Sequence, residues 1–135
     1  MSEVLHFELV SPEKKLISQD VYSVQIPGDE GEFGVLPGHS SLLSSLSAGV
    51  LRFRAEAGGE TQDIFIAGGF ADVTATRCTV LAEEALPVEE LNLESLEQRL
   101  KDLQSDLDLA EETADRKRIG RDIALVKAKL KAVSA

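Results

Sequence analysis

The sequence has 135 residues, of which 43% are hydrophobic and 28% are charged, so it can build a core and is too apolar for a wholly disordered chain. Acidic residues outnumber basic residues by 24 to 14, and the net charge of -10 argues against binding to nucleic acid or anionic lipid, which need clustered cations. The chain has one cysteine, so no intrachain disulfide can form, and it has no apolar run near the roughly 20 residues of a membrane helix. Residues 1–10 lack a signal-peptide pattern, and these features together predict a reduced cytosolic protein without direct lipid insertion.

Composition divides the chain near Pro87. Residues 1–87 contain nine of the ten glycines, all four prolines and all five phenylalanines, whereas residues 88–135 contain no aromatic residue and no proline. Charge divides as well, because residues 1–87 carry -8, residues 88–112 carry -7 and residues 113–135 carry +5. We therefore predict an α+β chain, with a β-rich domain over residues 1–87 and a helical domain over residues 88–135.

Alternation of apolar and polar residues with a period of two predicts the strands of the first domain. The segments that show it are residues 22–26, 50–55, 70–74 and 78–82, and residues 64–67 form a short apolar run that could be a strand buried on both faces. Turn-forming residues separate them, among them the pairs Gly58-Gly59 and Gly68-Gly69. Many short strands with no helical segment between them favour a β-sandwich or barrel and argue against a parallel α/β sheet.

Two apolar stripes with steps of three and four residues predict two helices in the second domain. The stripes are Leu93, Leu96, Leu100, Leu103 and Leu107, and then Ile119, Ile123, Val126, Leu130 and Val133. A break in phase between them predicts a turn over residues 111–115 and an antiparallel hairpin, with Asn92 as the N-cap of the first helix. The turn contains no glycine or proline, so one long helix over residues 93–132 is an alternative state, and the hairpin could open without large local strain. Gly120 weakens the second helix by about 1 kcal/mol relative to alanine.

No residue pattern supports catalysis or metal binding. The glycine-rich loop over residues 28–34 carries three acidic residues and lacks the Lys-Ser/Thr ending of a phosphate loop, so we interpret its glycines as turn residues. His39 precedes Ser40, but adjacent positions rarely supply a catalytic pair, and an interface contact is the better functional interpretation. Cys78 alternates with Val80, which is typical of a buried strand residue. The residues alone therefore predict a β-sandwich carrying a helical hairpin that acts as an interaction protein.

Residues 26–43 carry a family resemblance. They read IPGDEGEFGVLPGHSSLL, which closely resembles the signature of the ε subunit of bacterial F-type ATP synthases. Three later segments agree with the same family: residues 46–51 read LSAGVL, residues 67–73 read AGGFADV and residues 80–85 read VLAEEA. The order, the spacing and the chain length also fit, and the resemblance becomes diffuse after Pro87.

The resemblance implies a β-sandwich of about ten strands followed by a two-helix hairpin. It implies a non-catalytic rotor subunit of the central stalk, which couples rotation of the c-subunit ring of a proton-transporting ATP synthase to ATP synthesis. The implied partners are the γ subunit, the c ring, and the α and β subunits of the catalytic head, and no cofactor is implied. The implied location is peripheral, on the cytoplasmic face of the bacterial inner membrane. The alternative is a free-standing β-sandwich interaction module of another cytosolic complex.

The resemblance also assigns roles to residues within each domain. Residues 1–87 would bind γ and the c ring, with Glu32 in the loop that meets the polar loops of the ring, and the surface near γ and the ring would include His39, Ser40, Ser41, Leu42 and Leu43. Residues 88–135 would form a regulatory element that opens toward the catalytic head and inhibits ATP hydrolysis. Its candidate contacts with an acidic segment of the β subunit are Arg116, Lys117, Arg118 and Arg121. Members that bind regulatory ATP carry Ile/Leu-Asp-x-x-Arg-Ala, whereas residues 91–96 read LNLESL, so we expect no ATP binding.

Overall fold

The computed structural model describes residues 4–134, which divide into two compact units on either side of the bond between Pro87 and Val88. Residues 4–134 contain eight strands and two α-helices. The strands are β1 (Leu5–Val10), β2 (Lys15–Val21), β3 (Ser23–Gly28), β4 (Gly31–Val35), β5 (Leu42–Ser45), β6 (Gly49–Arg54), β7 (Gln62–Val73) and β8 (Arg77–Pro87). A 3-10 turn at Val88–Glu90 precedes the helices α1 (Leu93–Leu109) and α2 (Thr113–Ser134). The predicted α+β class, mainly β in the first unit, is confirmed.

The strands form one hydrogen-bonded sheet that folds over onto itself. Their order is β2-β1-β8-β7-β6-β3-β4, with β5 paired to β7. The pairs are antiparallel except for β1 with β8, which run parallel. The rings of Phe7 in β1 and Phe53 in β6 have their centroids 5.2 Å apart, although β8 and β7 lie between these strands in the sheet. The two halves of the sheet therefore pack face to face as a β-sandwich.

The sandwich core follows the alternation of the strands. In β1, Leu5, Phe7 and Leu9 are buried, while the residues between them are half-buried. The other strands contribute inward residues in the same way, including Val24, Ile26, Leu51, Phe53, Ile64, Ile66, Val73, Cys78 and Val80. The alternation of residues 50–55 predicts one shared face for Leu51, Phe53 and Ala55; Leu51 and Phe53 are buried, but Ala55 is exposed just after the end of β6. The prediction that Cys78 is buried is confirmed.

The strand β7 differs from the prediction. Residues 64–67 and 70–74 were expected to be two strands with a turn at Gly68-Gly69, but both segments lie in β7, which ends at Val73. Gly68 and Gly69 have φ values of +71° and +107°, and a Cβ on Gly69 would collide with the carbonyl oxygen of Leu81. The glycines thus bend the strand and let β8 approach closely, without reversing the chain. Residues 4–134 therefore contain eight strands where the resemblance implied about ten.

The helices α1 and α2 form the predicted hairpin around a small core of their own. Leu103, Ile119, Ile123 and Val126 are buried in it, with Leu96, Leu100, Leu107 and Leu130 packed at its edge. The side-chain oxygen of Asn92 accepts a hydrogen bond from the Ser95 N–H at 2.9 Å, which confirms the N-cap. The turn is earlier and shorter than the predicted residues 111–115, because Ala110 is already extended, with φ -75° and ψ 129°, and α2 begins at Thr113. In residues 4–134 no helix is both long enough and apolar enough to cross a membrane.

Candidate interaction surface

Three large apolar side chains lie together on the outer face of strands β5, β7 and β8. Phe70 is directly opposite Leu81 in the β7–β8 pair, and Leu43 of β5 is opposite Asp72, two residues along β7. Leu43, Phe70 and Leu81 are 69%, 52% and 49% exposed. Diagonal neighbours on one face of a sheet are within reach of large side chains, so these three residues form one exposed apolar patch. We call it the outer apolar patch.

The outer apolar patch arises from the phase of its strands. Ala71, Val73, Cys78 and Val80 are buried, so the residues between them must point outward. At most such positions the chain places polar residues, but Phe70 and Leu81 break that rule. Exposed apolar groups that lie side by side favour a contact with another protein. The sequence pattern predicted that Cys78 and Val80 point inward, but it could not show that Phe70 and Leu81 are neighbours on the outer face, because that depends on the pairing register of β7 and β8.

A network of charged residues continues the same outer face on strands β1, β2 and β8. The Glu8 carboxylate lies 3.0 Å from Arg77 Nη1, 3.7 Å from Lys15 Nζ and 3.2 Å from His6 Nε2. His6 Nδ1 also lies 3.1 Å from an oxygen of Asp20. Partial burial opposes ionisation of Glu8, but Lys15, the His6 hydrogen bond and Arg77 together outweigh it and lower the pKa of Glu8. The network therefore holds charged side chains in fixed positions beside the outer apolar patch.

The segment from His39 to Leu43 follows a tight turn after β4. Gly38 has φ +87° and its N–H donates to the Ala75 carbonyl at 2.7 Å. The His39 Nδ1 atom lies 2.6 Å from the carbonyl oxygen of Ser40, so this ring nitrogen donates to the backbone and is not directed at a nucleophile. Ser40 and Ser41 are exposed, and Leu42 and Leu43 begin β5. His39 and Ser40 are therefore not arranged as a catalytic pair.

Glu32 lies on β4 beside the turn that joins β3 to β4. Its carboxylate is 3.8 Å from Arg52 Nη1, and Arg52 Nε is in turn 3.6 Å from an Asp63 oxygen. Glu32 and Arg52 border a shallow depression of about 270 Å³, which is lined by Ser23, Gln25, Glu32, Arg52, Arg54 and Thr61. The Glu32 side chain is about half exposed, so it can pair with a cation from outside the chain, but Arg52 competes for it.

The structure places Glu32 and His39 at opposite ends of β5. The turn before Glu32 is tied to the end of β5, because the Asp29 N–H donates to the Ser45 carbonyl at 3.1 Å. His39 precedes the start of β5 at Leu42. A four-residue strand is about 13 Å long, so one contiguous sequence signature forms two separate clusters. The outer apolar patch adjoins the strand between them through Leu43.

The four candidate cations of the hairpin have unequal surroundings. Arg116 Nη1 donates to the carbonyl oxygens of Leu107 and Ala110, at 2.9 and 3.0 Å. Arg118 pairs with Asp115 of its own helix at 3.4 Å. Lys117 and Arg121 are exposed on α2. Arg116 is thus engaged at the hairpin turn, whereas the other three point to solvent or pair within α2.

Other residues that could carry chemistry are accounted for by packing. Cys78 is fully buried, and burial, with the nearby Asp72 charge, raises the pKa of its thiol to about 12, so the reactive thiolate is suppressed. Within the described residues, no group of three or more histidines, cysteines or acids is placed to hold a metal ion. At residues 91–96, Asn92 and Ser95 form the helix cap.

A sandwich with an exposed apolar patch, a fixed charge network and a separate helical hairpin defines a protein-interaction subunit. The comparisons with known proteins make this specific. The model of the ATP synthase delta/epsilon chain β-sandwich domain matches residues 4–88. The chain is 41% identical over 143 residues to an ATP synthase epsilon chain of Rhodospirillum centenum, covering 100% of this chain and 95% of that one. It is 42% identical over 134 residues to an ATP synthase epsilon chain of Paramagnetospirillum magneticum, covering 99% and 100%.

Solved structures agree with the sequence relatives. A chain in the Euglena gracilis mitochondrial ATP synthase OSCP/F1/c-ring structure superposes with a TM-score of 0.85 at 26% identity, covering 100% of this chain and 84% of that chain. A chain in the Tetrahymena thermophila central stalk and c-ring structure shares the fold, with a TM-score of 0.65 at 15% identity. The protein therefore belongs to the ATP synthase delta/epsilon family. It is a non-catalytic stalk subunit of a rotary ATP synthase, which is a membrane-associated complex.

Proposed function

We propose that the β-sandwich of this subunit attaches to the γ subunit through the outer apolar patch and the charge network beside it. The observation that carries this is the juxtaposition of Leu43, Phe70 and Leu81 at 49–69% exposure. Removing such side chains from water contributes about 25 cal/mol per Å² of apolar area. A rotor subunit must keep one orientation on its partner while the rotor turns. An apolar patch on a sheet, with paired charges at its edge, resembles the apolar core and polar rim of a specific protein interface.

Glu32 would contact the c ring from the other end of β5. In the free subunit its carboxylate lies beside Arg52, so a cation on the ring must replace or supplement that pair. Exposed pairs of this kind are worth about 0–1 kcal/mol, so Glu32 contributes more to orientation than to affinity. His39, Ser40 and Ser41 would contact γ or the ring at the opposite end.

The helical hairpin, residues 88–135, would inhibit ATP hydrolysis when it opens. In the open state its basic second helix reaches the catalytic head and faces an acidic segment of the β subunit. The candidate contacts are Arg116, Lys117, Arg118 and Arg121, which lie in the segment of charge +5 in an otherwise acidic chain. Charge complementarity of this kind selects a partner and an orientation. The subunit would work at the cytoplasmic face of the bacterial inner membrane, held there by its protein contacts.

The experiment that tests the attachment surface is replacement of one exposed member of the patch. Phe70→Ser should weaken binding of the full-length chain to γ about 10- to 100-fold, since a large aromatic anchor at an interface is worth about 1–3 kcal/mol. Tyr22→Ser, at 39% exposure outside the patch, is the matched control and should leave binding unchanged. Affinity is measured by titration of labelled γ. Equal affinities for the two variants, with both folded by circular dichroism, would show that γ binds elsewhere.

A further inference from the structure

The Arg116 side chain closes the turn of the hairpin. One guanidinium nitrogen donates to two backbone carbonyls at the end of α1, that of Leu107 in the last turn of the helix at 2.9 Å and that of the C-cap Ala110 at 3.0 Å. The last carbonyls of an α-helix lack intrahelical partners and carry the negative end of the helix dipole. Arg116 therefore supplies both donors and charge where the end of α1 requires them.

The turn has no other device of comparable strength. Within residues 4–134, left-handed backbone occurs only at glycines, and residues 110–112 contain none. The usual glycine cap of a helix C-terminus is therefore missing at this turn. Ala110 turns the chain in an extended conformation, with its own N–H donating to Asp106 and Leu107. The bonds from Arg116 are polar contacts that join the end of α1 to the first turn of α2.

These bonds cannot persist if the hairpin straightens. On one continuous helix, Leu107 O would accept from the N–H of Glu111, and Ala110 O would accept from the N–H of Ala114. Both carbonyls would then be satisfied within the helix, and the Arg116 guanidinium would be released. Arg118 does not have this property, since it pairs with Asp115 of its own helix.

We propose that Arg116 is the latch of the closed hairpin: it stabilises the turn when the helices are folded together and becomes free only when they separate. As a regulatory device this rests on the proposed role of the hairpin, but the latch itself is a property of the isolated chain. It assigns Arg116 a function in the closed state that Lys117 and Arg121 do not share. Opening would thus exchange two backbone hydrogen bonds of Arg116 for contacts with an acidic partner.

The test compares Arg116→Met with Lys117→Met in the full-length protein. Both variants remove one positive charge from the same helical turn and introduce a good helix former, but only the first removes the bonds to α1. Spin labels are attached through Glu97→Cys and Ala124→Cys, both at exposed positions, while the native thiol of Cys78 is buried. In a closed hairpin the helix axes lie about 8–10 Å apart, whereas one continuous helix separates the labelled backbones by about 40 Å.

The latch predicts that Arg116→Met increases the population of separated helices about tenfold relative to Lys117→Met, as expected for loss of charge-assisted hydrogen bonds. Distances between the two labels are measured in both variants by double electron–electron resonance. The measurement is repeated with Leu103→Ala added to each variant, which raises the population of separated helices into the measurable range. Equal populations in the two variants in that background would overturn the latch. The regulatory role is judged separately, by comparing the ATPase rate of the complex with and without this chain. An unchanged rate would refute inhibition and leave the result on the latch intact.

Discussion

Replacing Leu103 should separate the stability of the hairpin from that of the sandwich. Leu103 is 3% exposed and packs against Ile119, Ile123 and Val126 of α2. Leucine-to-alanine changes in cores cost about 2–5 kcal/mol, depending on how far the site collapses. This core has only four buried residues, and the leucines packed at its edge are partly exposed. We therefore expect the lower half of that range, about 2–3 kcal/mol. That corresponds to a roughly 30- to 150-fold larger open population.

Hydrogen exchange of the full-length protein measures this directly. In Leu103→Ala, amides in the middle of α2 should exchange roughly 30- to 150-fold faster, while amides of β7 keep the rates of the parent protein. Leu109→Ala is the matched control because Leu109 belongs to the same helix but is 81% exposed. It should change the free energy of opening of the hairpin by no more than about 0.5 kcal/mol. Equal acceleration of α2 and β7 would refute the reasoning, since it would mean that the two units unfold together.

Two further substitutions test the contributions of single residues to the stability of the fold. Gly120→Ala should stabilise α2 by up to about 1 kcal/mol and so raise its thermal midpoint, because alanine favours the helix and a Cβ at Gly120 meets no atom within 4 Å. A lower midpoint by circular dichroism would contradict this. Glu8→Gln tests the charge network. The pKa of Glu8 in the folded protein is lowered from 4.5, so the ionised carboxylate stabilises the fold above that pH. This stabilisation is lost as the pH falls through the lower pKa of the folded state. Urea unfolding should therefore show Glu8→Gln less stable than the parent at pH 7, with a difference that shrinks in acid, and a pH-independent difference would exclude this explanation.

The sequence was most informative where one period dominated. Alternation located β6 and the inward faces of β7 and β8, and steps of three and four located both helices, because burial of one face is what those periods encode. It was least informative at Gly68-Gly69, where the same dipeptide can reverse a chain or bend a strand. The choice depends on the close approach of Leu81, which is a tertiary contact. Leu93 shows a similar limit, since it continues the stripe of α1 yet is 44% exposed at the first turn.

The candidate site was predicted only in part, for a geometric reason. The family signature placed Glu32 and His39 in one segment of sequence, but β5 separates their neighbourhoods by its own length. The outer apolar patch joins residues from three strands, so Phe70 and Leu81 become neighbours of Leu43 only when the pairing register is known. Arg116 shows the same dependence, since the patterns treat it as one of several equivalent cations. Only the position of the α1 carbonyls distinguishes it.

Coupling and regulation place opposite demands on stability, and the two units meet them separately. A coupling element must resist deformation, and the sandwich has a continuous core that includes Phe7, Phe53 and the inward residues of its long strands. A regulatory element must change conformation without unfolding its neighbour. Helices of 17 and 22 residues are marginal in isolation, and they are held together by four buried side chains among the described residues and the bonds of Arg116. A balance this small can be shifted by a few hydrogen bonds, so the regulatory role proposed for the hairpin does not require the sandwich to unfold.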